Sequence, residues 1–348
     1  MNRDSQDDRL AERLNSALAS IRVMPRRLLL DTPGVAATVP MLRGVWGAAL
    51  HDLDPAAYAA VFGPNDSGRT STWQPARTSR SVPLHRAGAA LALHSAAPRQ
   101  QQATLPVGGT DVASYILRPA PPDPQFAPAV DWILIGEQAL AHDFTLCRAW
   151  DVASGMGLGP ERRRFRILRS VALHSDRQSV EQSEPWPLNT ITWRGWAGLP
   201  TPNSPAPPPE CPLDPYQPCR LGFWSPLRLI YNKRLIETPT LADIIVAACR
   251  RVKAYLPVEQ QADWEPVSRE ALDTARHTPA AAWQGQRLDL HRYSGRQRRE
   301  LELRGVTGCL DLPEGPGQLW PLLAAAGWLH LGKGTVMGMG QMEVVRWQ

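Results

Sequence analysis

The chain has 348 residues and a mass of 38.4 kDa, the size of about two ordinary domains. It is 43% hydrophobic and 20% charged, which excludes a disordered or fibrous chain. No run long enough for a spanning helix occurs, and residues 1–13 are polar, so we expect no membrane partner and no signal peptide. The five cysteines lack CxxC spacing, which argues against a disulfide framework or zinc ribbon and favours a cytoplasmic protein.

Arginine supplies nearly all of the positive charge. The formal net charge is +5 and the pI is about 9.1, a mild basic excess that suits a polyanionic partner. The lysines are Lys233, Lys253 and Lys333. A GC-rich genome would give the same bias, but the planar guanidinium also binds phosphate and stacks on bases. The positions of the arginines therefore matter more than their number.

Proline marks the boundary between two predicted domains. Nine prolines within residues 200–218 exclude a helix or an inner strand there and indicate a linker or an extended excursion. We expect four parts, which are a helical extension over 1–20, a domain over 21–180, a proline-rich linker over 181–217 and a second domain over 218–348.

Hydrophobic patterning predicts the elements of each half. In the first half we expect helices over 40–50 and 137–152 and strands over 26–31, 82–93, 112–118, 132–135 and 165–173. In the second half we expect helices over 240–256 and 318–327 and strands over 221–231, 287–304, 306–312 and 342–347. Thr240 is the predicted N-cap of its helix, with Asp243 three residues later.

The order of these elements predicts the fold class. The second half reads β-α-β-β-α-β, and the first half follows the same order less regularly. We therefore expect an α+β protein of two tandem ferredoxin-like, or RRM-like, domains. In each half the last helix leads into a glycine-rich loop, over 155–159 and 332–340, and then into a strand.

The second loop carries a set of residues suited to phosphate. Glycines let a backbone turn its amides toward an anion, and a lysine and a threonine add further donors. The residues concerned are Gly332, Lys333, Gly334, Thr335, Gly338 and Gly340. The loop is not a P-loop, because the spacing differs and a strand follows it. The alternative is a plain turn in which glycine serves positive φ.

Two basic segments accompany the two loops. Residues 148–170 carry a local charge of +4, and residues 287–304 a charge of +3. Mixed cations, aromatic rings, hydroxyls and amides suit single-stranded or hairpin RNA. The candidate RNA contacts in these segments are Arg162, Arg163, Arg164, Arg292, Tyr293, Ser294, Arg296 and Gln297. The alternative is a solvated strand face.

Six blocks in order resemble one family. They are LRGVWGAAL at 42–50, the glycine loop 155–159 followed by RRRF at 162–165, FWSPLRL at 223–229, RR at 250–251, RYSGRQ at 292–297 and HLGKGTVMGMG at 330–340. Together they resemble the CRISPR-associated RAMP proteins, in the branch of pre-crRNA processing endoribonucleases. The resemblance covers residues 26–348, with 64–130 and 175–218 poorly matched.

The resemblance implies metal-independent cleavage of CRISPR repeat RNA to mature crRNA, without a cofactor. The 2′-hydroxyl before the cut attacks the phosphate, giving a 2′,3′-cyclic phosphate and a 5′-hydroxyl. Such a reaction needs a base, an acid and cations for the phosphorane. The implied partners are the repeat RNA, the crRNA hairpin and other CRISPR effector subunits.

The candidate catalytic residue is His51, since the family often places its general base or acid at the end of this helix. Arg43, Gly47 and His51 are spaced by four and form one row, where the glycine would let an RNA backbone approach. Arg43 and Tyr58 are the candidate helpers. The alternative is that His51 interacts with the helix dipole.

His330 matches a family histidine just before the second glycine loop and is a candidate RNA contact. Its apolar neighbours also predict a buried, structural histidine.

Two other functions remain open. One is a non-catalytic RAMP subunit that binds guide RNA in an interference complex, and the other is a general RNA-binding protein with tandem RRM-like folds. Aromatic RNP motifs, typical of the latter, are absent from the sequence. The glycine loops favour the endoribonuclease over the non-catalytic subunit.

Overall fold

The computed structural model describes residues 9–62, 112–120, 128–197, 210–294 and 299–346, with the backbone alone at 290–294 and 299–303. The predicted strand 82–93 lies outside these residues. None of the helices within them combines the length and apolar character needed to cross a membrane.

The N-terminal half forms a sheet of order β2-β3-β1-β4-β5, with β6 also paired to β1. Its elements in chain order are α1 (Arg9–Leu18), β1 (Arg22–Asp31), α2 (Val39–Leu53), α3 (Pro55–Phe62), β2 (Tyr115–Pro119), β3 (Ala129–Ile135), α4 (Glu137–Leu140), α5 (Asp143–Met156), β4 (Arg166–Leu173), β5 (Ser179–Val180) and β6 (Trp186–Pro187).

The C-terminal half forms a second sheet of order β12-β13-β9-β14-β7-β8 and a separate β10-β11 hairpin. Its elements are β7 (Arg194–Trp196), β8 (Glu210–Pro212), β9 (Cys219–Leu227), β10 (Ile230–Tyr231), β11 (Arg234–Leu235), α6 (Leu241–Tyr255), α7 (Gln261–His277), β12 (Gln284–Ser294), β13 (Arg299–Leu312), α8 (Trp320–Leu329) and β14 (Met342–Arg346).

The two sheets share one topology. The order β2-β3-β1-β4 in the first sheet and β12-β13-β9-β14 in the second both place the first strand of the motif beside its third and fourth. All of these pairings are antiparallel. This is the βαββαβ ferredoxin-like arrangement, with α2 and α5 as the crossover helices in the first domain and α6 and α8 in the second. The predicted fold class is confirmed.

The elements of the structure differ from the prediction in several places. The helix predicted over 137–152 is two helices, α4 and α5. The second begins at Asp143, because a carboxylate in the first turn interacts favourably with the helix dipole. The same carboxylate accepts a hydrogen bond from Arg26 (Nη2–Oδ2 2.8 Å). The strand predicted over 287–304 is an antiparallel hairpin paired from Gln284↔Cys309 to Ser294↔Arg299. The sequence prediction also missed α7, whose buried Trp264, Val267, Ala271 and Ala275 do follow helical spacing.

The start of α6 agrees with its prediction. The Thr240 side chain accepts from the amide of Asp243 (3.3 Å), and the Asp243 carboxylate accepts from the Thr240 amide (2.9 Å). This reciprocal capping box satisfies two amides that a helix start would otherwise leave unpaired.

The region predicted as a proline-rich linker is partly built into both sheets. β6 pairs with β1, while β7 and β8 extend the second sheet at the β14 edge. Proline is tolerated in β8 because that strand is the last in its sheet. The domain boundaries given above stay a prediction.

The strands β1, β2 and β3 of the first sheet are buried on both faces, whereas most of β4 is exposed. Leu28, Leu117 and Trp132 pack with the helices α2 and α5, whereas Ile116 and Ile133 belong to a second cluster with residues of the C-terminal domain. The latter cluster also takes in three leucines of α1, which are Leu10, Leu14 and Leu18. One continuous apolar core therefore joins the two domains.

Charged groups are buried within the same contact. Arg118 of β2 is 1% exposed and donates to Asp131 (Nε–Oδ2 3.2 Å) and to the carbonyl of Gly327 in α8 (Nη1–O 3.0 Å). Arg27 bonds the other oxygen of Asp131 at 2.7 Å. The Arg118 guanidinium lies 4.9 Å from the centre of the Trp328 ring. A side chain of the first domain is thus bonded to the last helix of the second.

A second arginine reaches the same tryptophan. Arg177, between β4 and β5, lies 5.6 Å from the Trp328 ring centre. It forms ion pairs with Glu343 (2.6 Å) and Glu210 (2.7 Å) of the second sheet. We call Arg118, Arg177 and Trp328 the interdomain clamp.

We expect Arg118→Met to lower the free energy of unfolding by about 3–5 kcal/mol, because it leaves Asp131 short of a partner in a site closed to water. Urea unfolding followed by tryptophan fluorescence measures this change.

Arg166→Met is the matched control, since Arg166 also pairs with an aspartate of the same sheet but its side chain is 80% exposed. That change should cost at most about 1 kcal/mol. Equal losses in the two variants would contradict the role given to the clamp.

Candidate functional site

The predicted row on α2 is present. Arg43, Gly47 and His51 follow one another at successive turns on one side of the helix, and the short helix α3 packs beside it. Arg43 lies over the ring of Phe62 (5.1 Å to its centre), and Phe62 stacks on Tyr58 (4.4 Å). The ring of Tyr58 meets that of His51 edge to face at 5.2 Å. The three candidate catalytic residues are therefore linked through one aromatic ladder.

Gly47 has a different role from the one expected. A Cβ on Gly47 would lie 2.9 Å from Cζ of Phe62 and 3.7 Å from Cε2 of Tyr58. The rings of Phe62 and Tyr58 fill the space above this glycine. Gly47 therefore allows α3 to pack closely against α2 and leaves no path for an RNA backbone. Phe62, which the sequence analysis did not single out, completes the ladder. Its only sequence signal is its place near Tyr58 in a short apolar segment.

His51 is the exposed end of the ladder. Its side chain is 47% exposed, and Nδ1 lies 3.7 Å from the carboxylate of Asp52. Tyr58 is only 7% exposed and supports the imidazole from below. Such an imidazole has room for a substrate on its open side and a carboxylate beside it. This arrangement can accept or donate a proton at the surface.

The first glycine loop forms a tight reversal between α5 and β4. Leu158 and Arg163 exchange two backbone bonds, of 2.8 and 3.0 Å. Arg162, Arg163 and Arg164 are all exposed around this turn. Arg163 bonds Glu161 (2.8 Å) and approaches the carbonyl of Gly34 (3.4 Å). The three predicted arginines thus lie together on the surface.

The second basic segment lies at the end of the β12–β13 hairpin. The backbone of Arg292, Tyr293 and Ser294 is the last part of β12. Arg296 and Gln297 lie outside the described residues. These five remain predicted RNA contacts.

The second glycine loop is closed by its own backbone. Lys333, Met337, Gly338, Met339 and Gly340 all donate their amides to carbonyls of the protein. A Cβ on Gly340 would meet the carbonyl of Leu331, and its φ is +71°, so this position requires glycine. Three of the six residues expected to bind phosphate, Lys333, Gly338 and Gly340, therefore have amides that are already bonded within the protein.

Within the loop, Lys333 is exposed, whereas Thr335 is buried. The Thr335 hydroxyl accepts from Arg251 (3.2 Å), which also donates to the carbonyl of Gly332 (2.8 Å). Arg251 thus fixes the loop from α6. The lysine is the loop's exposed cation, and Gly332 and Gly334 beside it are half-buried.

His330 lies at the base of this loop and is fully buried. Its Nδ1 is 3.0 Å from the carbonyl of Met339. Because a carbonyl only accepts, Nδ1 carries a hydrogen. Burial, with Arg118 and Arg251 nearby, holds the pKa of His330 well below its usual value, so the ring is neutral at pH 7. In this conformation the ring has no surface to offer an RNA.

The loop and His51 lie at opposite ends of α2. A Cβ on Gly338 would lie 3.4 Å from Cγ1 of Val39, in the first turn of that helix. Twelve residues separate Val39 from His51, which is roughly 18 Å along the axis. A ligand that touched both Lys333 and His51 would have to extend along the whole helix.

We expect Gly47→Ala to lower the free energy of unfolding by about 1–3 kcal/mol, because the new methyl group displaces Phe62 from the ladder. Gly44→Ala on the same helix is the control. Nothing lies within 4 Å of a Cβ there, so better helix propensity should raise stability by up to about 1 kcal/mol. Thermal unfolding of the two variants distinguishes them, and a stabilised Gly47→Ala protein would contradict the packing described.

The buried neutral His330 predicts a loss of stability in acid. Below pH 6.5 the unfolded chain binds a proton at His330 and the folded chain does not. The titration of this residue therefore leaves the free energy of unfolding unchanged above that pH and lowers it as the pH falls further. The loss reaches about 1.4 kcal/mol per pH unit. Urea midpoints at pH 7.5, 6.0 and 5.0 should fall less for His330→Gln than for the unaltered protein. Parallel pH profiles would contradict this.

Comparison with known proteins agrees with the fold. Residues 221–342, about a third of the chain, match the family model of the CRISPR-associated endoribonuclease Cas6. A search of curated proteins gave no match.

Several solved structures are similar in fold. A Cas6 product complex is 13% identical with a TM-score of 0.51, over 92% of this chain and 99% of that one. Thermus thermophilus Cas6 is 11% identical with a TM-score of 0.49, over 94% and 99%. A Cas6-related protein from Pyrococcus furiosus is 8% identical with a TM-score of 0.41, over 94% and 100%. The first of these, whose score exceeds 0.5, supports a shared fold.

The matched segment contains β9, the β12–β13 hairpin and the second glycine loop, whereas His51 lies outside it. The resemblance indicated by the sequence motifs is confirmed: this chain has the fold of a Cas6 protein, and its C-terminal domain carries the match to the family of CRISPR-associated endoribonucleases.

Proposed function

We propose that this protein is a metal-independent endoribonuclease that cleaves CRISPR repeat RNA. The observation that carries the proposal is the match of residues 221–342 to the Cas6 endoribonuclease family, because this segment includes the glycine loop with its exposed Lys333. The similar solved structure named a Cas6 product complex supports the same reaction class.

The chemistry places the nucleophile on the RNA. The 2′-oxygen forms a bond to the adjacent phosphorus, and the bond from phosphorus to the 5′-oxygen breaks. The 2′-hydroxyl proton goes to a base, and the leaving 5′-oxygen takes a proton from an acid. The products are a 2′,3′-cyclic phosphate and a 5′-hydroxyl, and neither metal nor cofactor enters this balance.

We assign the general acid or base to His51. It is half exposed, it ends α2, and its ring is held by Tyr58. Tyr58 is buried beneath it and acts as a positioning residue. Arg43 lies two turns from His51, about 12 Å along the helix, and is therefore poorly placed to reach the same phosphate. Its role is to stabilise the ladder through its contact with Phe62.

The RNA would be held by cations from both domains. The arginines Arg162, Arg163 and Arg164 surround the first glycine loop, and Lys333 projects from the second. The predicted contacts at the end of the β12–β13 hairpin would add to them. Contacts between such cations and the phosphates of an RNA position it without reading its sequence. We propose that the protein stays bound to the crRNA hairpin and meets other CRISPR effector subunits in that state.

The test is cleavage of an end-labelled CRISPR repeat RNA, encoded in the same genome as the chain, in the presence of EDTA. We expect cleavage at one position, and no cleavage when the nucleotide before the cut carries a 2′-deoxy sugar. His51→Ala should slow the reaction by about 10²- to 10⁴-fold. His277→Ala is the control, because this exposed histidine ends α7 and bonds a backbone carbonyl.

A requirement for metal, or cleavage of the deoxy substrate, would overturn the mechanism. Unchanged cleavage by His51→Ala would overturn the assignment of His51 alone. Tight binding of the RNA without any cleavage would favour the non-catalytic guide-RNA subunit.

A further inference from the structure

The β10–β11 hairpin is a basic projection next to the second glycine loop. Residues 228–236 read RLIYNKRLI, with three cations and no acid. β10 and β11 pair at Ile230↔Leu235 and Tyr231↔Arg234, and the chain reverses at Asn232 and Lys233. The strand predicted over 221–231 covers only the first part of this segment, and none of the predicted site residues falls on it.

Backbone bonds fix this hairpin to the loop. The carbonyl of Arg228 accepts from the amide of Lys333 (2.9 Å), and Arg228 forms a parallel bridge with Gly332. The carbonyl of Leu229 accepts from the amide of Ile236 (2.9 Å), which closes the hairpin at its base. The base of the hairpin therefore lies beside Lys333, the exposed lysine of the loop.

The end of the hairpin combines cations with an aromatic ring. Tyr231 is 66% exposed, and Lys233 and Arg234 are exposed. Neither of these two cations has an ion-pair partner among the described residues. By contrast, the nearby acid Glu237 is paired with Arg287 at 2.9 Å. Two of the chain's three lysines, Lys233 and Lys333, thus lie on the hairpin and on the loop bonded to it.

The backbone at the turn makes this lysine unexpected on structural grounds. Asn232 and Lys233 have φ values of +47° and +64°, the left-handed conformation of a type I′ turn. Asparagine is usual at the first position and glycine at the second, where the Cβ of a lysine makes the left-handed conformation unfavourable. A strained residue that presents an unpaired charge is a sign of function more than of folding.

We propose that the β10–β11 hairpin is a second RNA-binding element that acts with Lys333. Lys233 and Arg234 contact backbone phosphates, and Tyr231 stacks on an unpaired base beside them. Exposed aromatic rings interleaved with cations are the features by which proteins hold single-stranded RNA. This inference rests on the proposed function, since it takes the same repeat RNA as the ligand.

The experiment measures binding to the repeat RNA with a 2′-deoxy sugar at the cut, so that no cleavage occurs. Lys233→Gly removes the cation and relieves the strained turn, so we expect unfolding stability equal to or above that of the unaltered protein and about 3- to 10-fold weaker binding. The slope of log K against log salt should fall by about 0.7–0.9. A residue that served folding alone would lose stability and leave the salt slope unchanged.

Tyr231 is tested by two substitutions. Tyr231→Ala should weaken binding by about 5- to 150-fold, the range that corresponds to the loss of one stacked base, and Tyr231→Phe should retain most of the binding because the ring remains. Arg276→Gln, which removes one positive charge from the exposed face of α7, is the control for net charge and should change binding less than 2-fold.

The outcomes separate the two proposals. If the unaltered protein binds and cleaves the repeat RNA while Lys233→Gly and Tyr231→Ala bind as tightly, the hairpin proposal is overturned and the endoribonuclease proposal stands. If the unaltered protein does not bind the RNA, both fail. Equal losses for Lys233→Gly and Arg276→Gln would also overturn the hairpin proposal, because net charge alone would then explain them.

Discussion

The arrangement of the two domains depends on Trp328. Its ring contacts two arginines of the first domain, which are the buried Arg118 of β2 and Arg177, whose side chain is 15% exposed. Arg118 and Arg177 approach its ring at 4.9 and 5.6 Å, and their charges are met by buried carboxylates from both domains. A guanidinium out of water is tolerated only when such partners are complete, so the contact specifies one relative orientation of the sheets. Apolar packing alone would hold the sheets together with less directional preference.

The same contact positions the second glycine loop. Trp328 lies two residues before His330, whose ring bonds the carbonyl of Met339 at the other end of the loop. Arg118 and Arg177 also disfavour a proton on that ring. The loop is therefore held from below by the neutral histidine and from the side by Arg251. Interdomain packing and the shape of the candidate RNA surface are consequences of one buried cluster.

The candidate site is extended, because its parts lie on different elements. The loop contacts the beginning of α2, His51 lies in the last turn of that helix, and the base of the β10–β11 hairpin bonds the loop at Lys333. An RNA that met all three would run along the helix instead of entering a pocket. An extended site of this kind would suit a ligand that is itself long.

The sequence by itself determined the fold class, the capping of α6 by Thr240 and the row from Arg43 to His51, because these follow from local periodicity and short-range bonds. The motif resemblance also came from the order of residues. The tertiary structure alone decided that Phe62 covers Gly47, that Nδ1 of His330 bonds the carbonyl of Met339, and that Arg228 bonds the loop at Lys333. Each of these joins residues distant in the chain or depends on side-chain packing, and no periodicity reports which side chains fill a space. The turn at Lys233 likewise became visible only through its backbone angles.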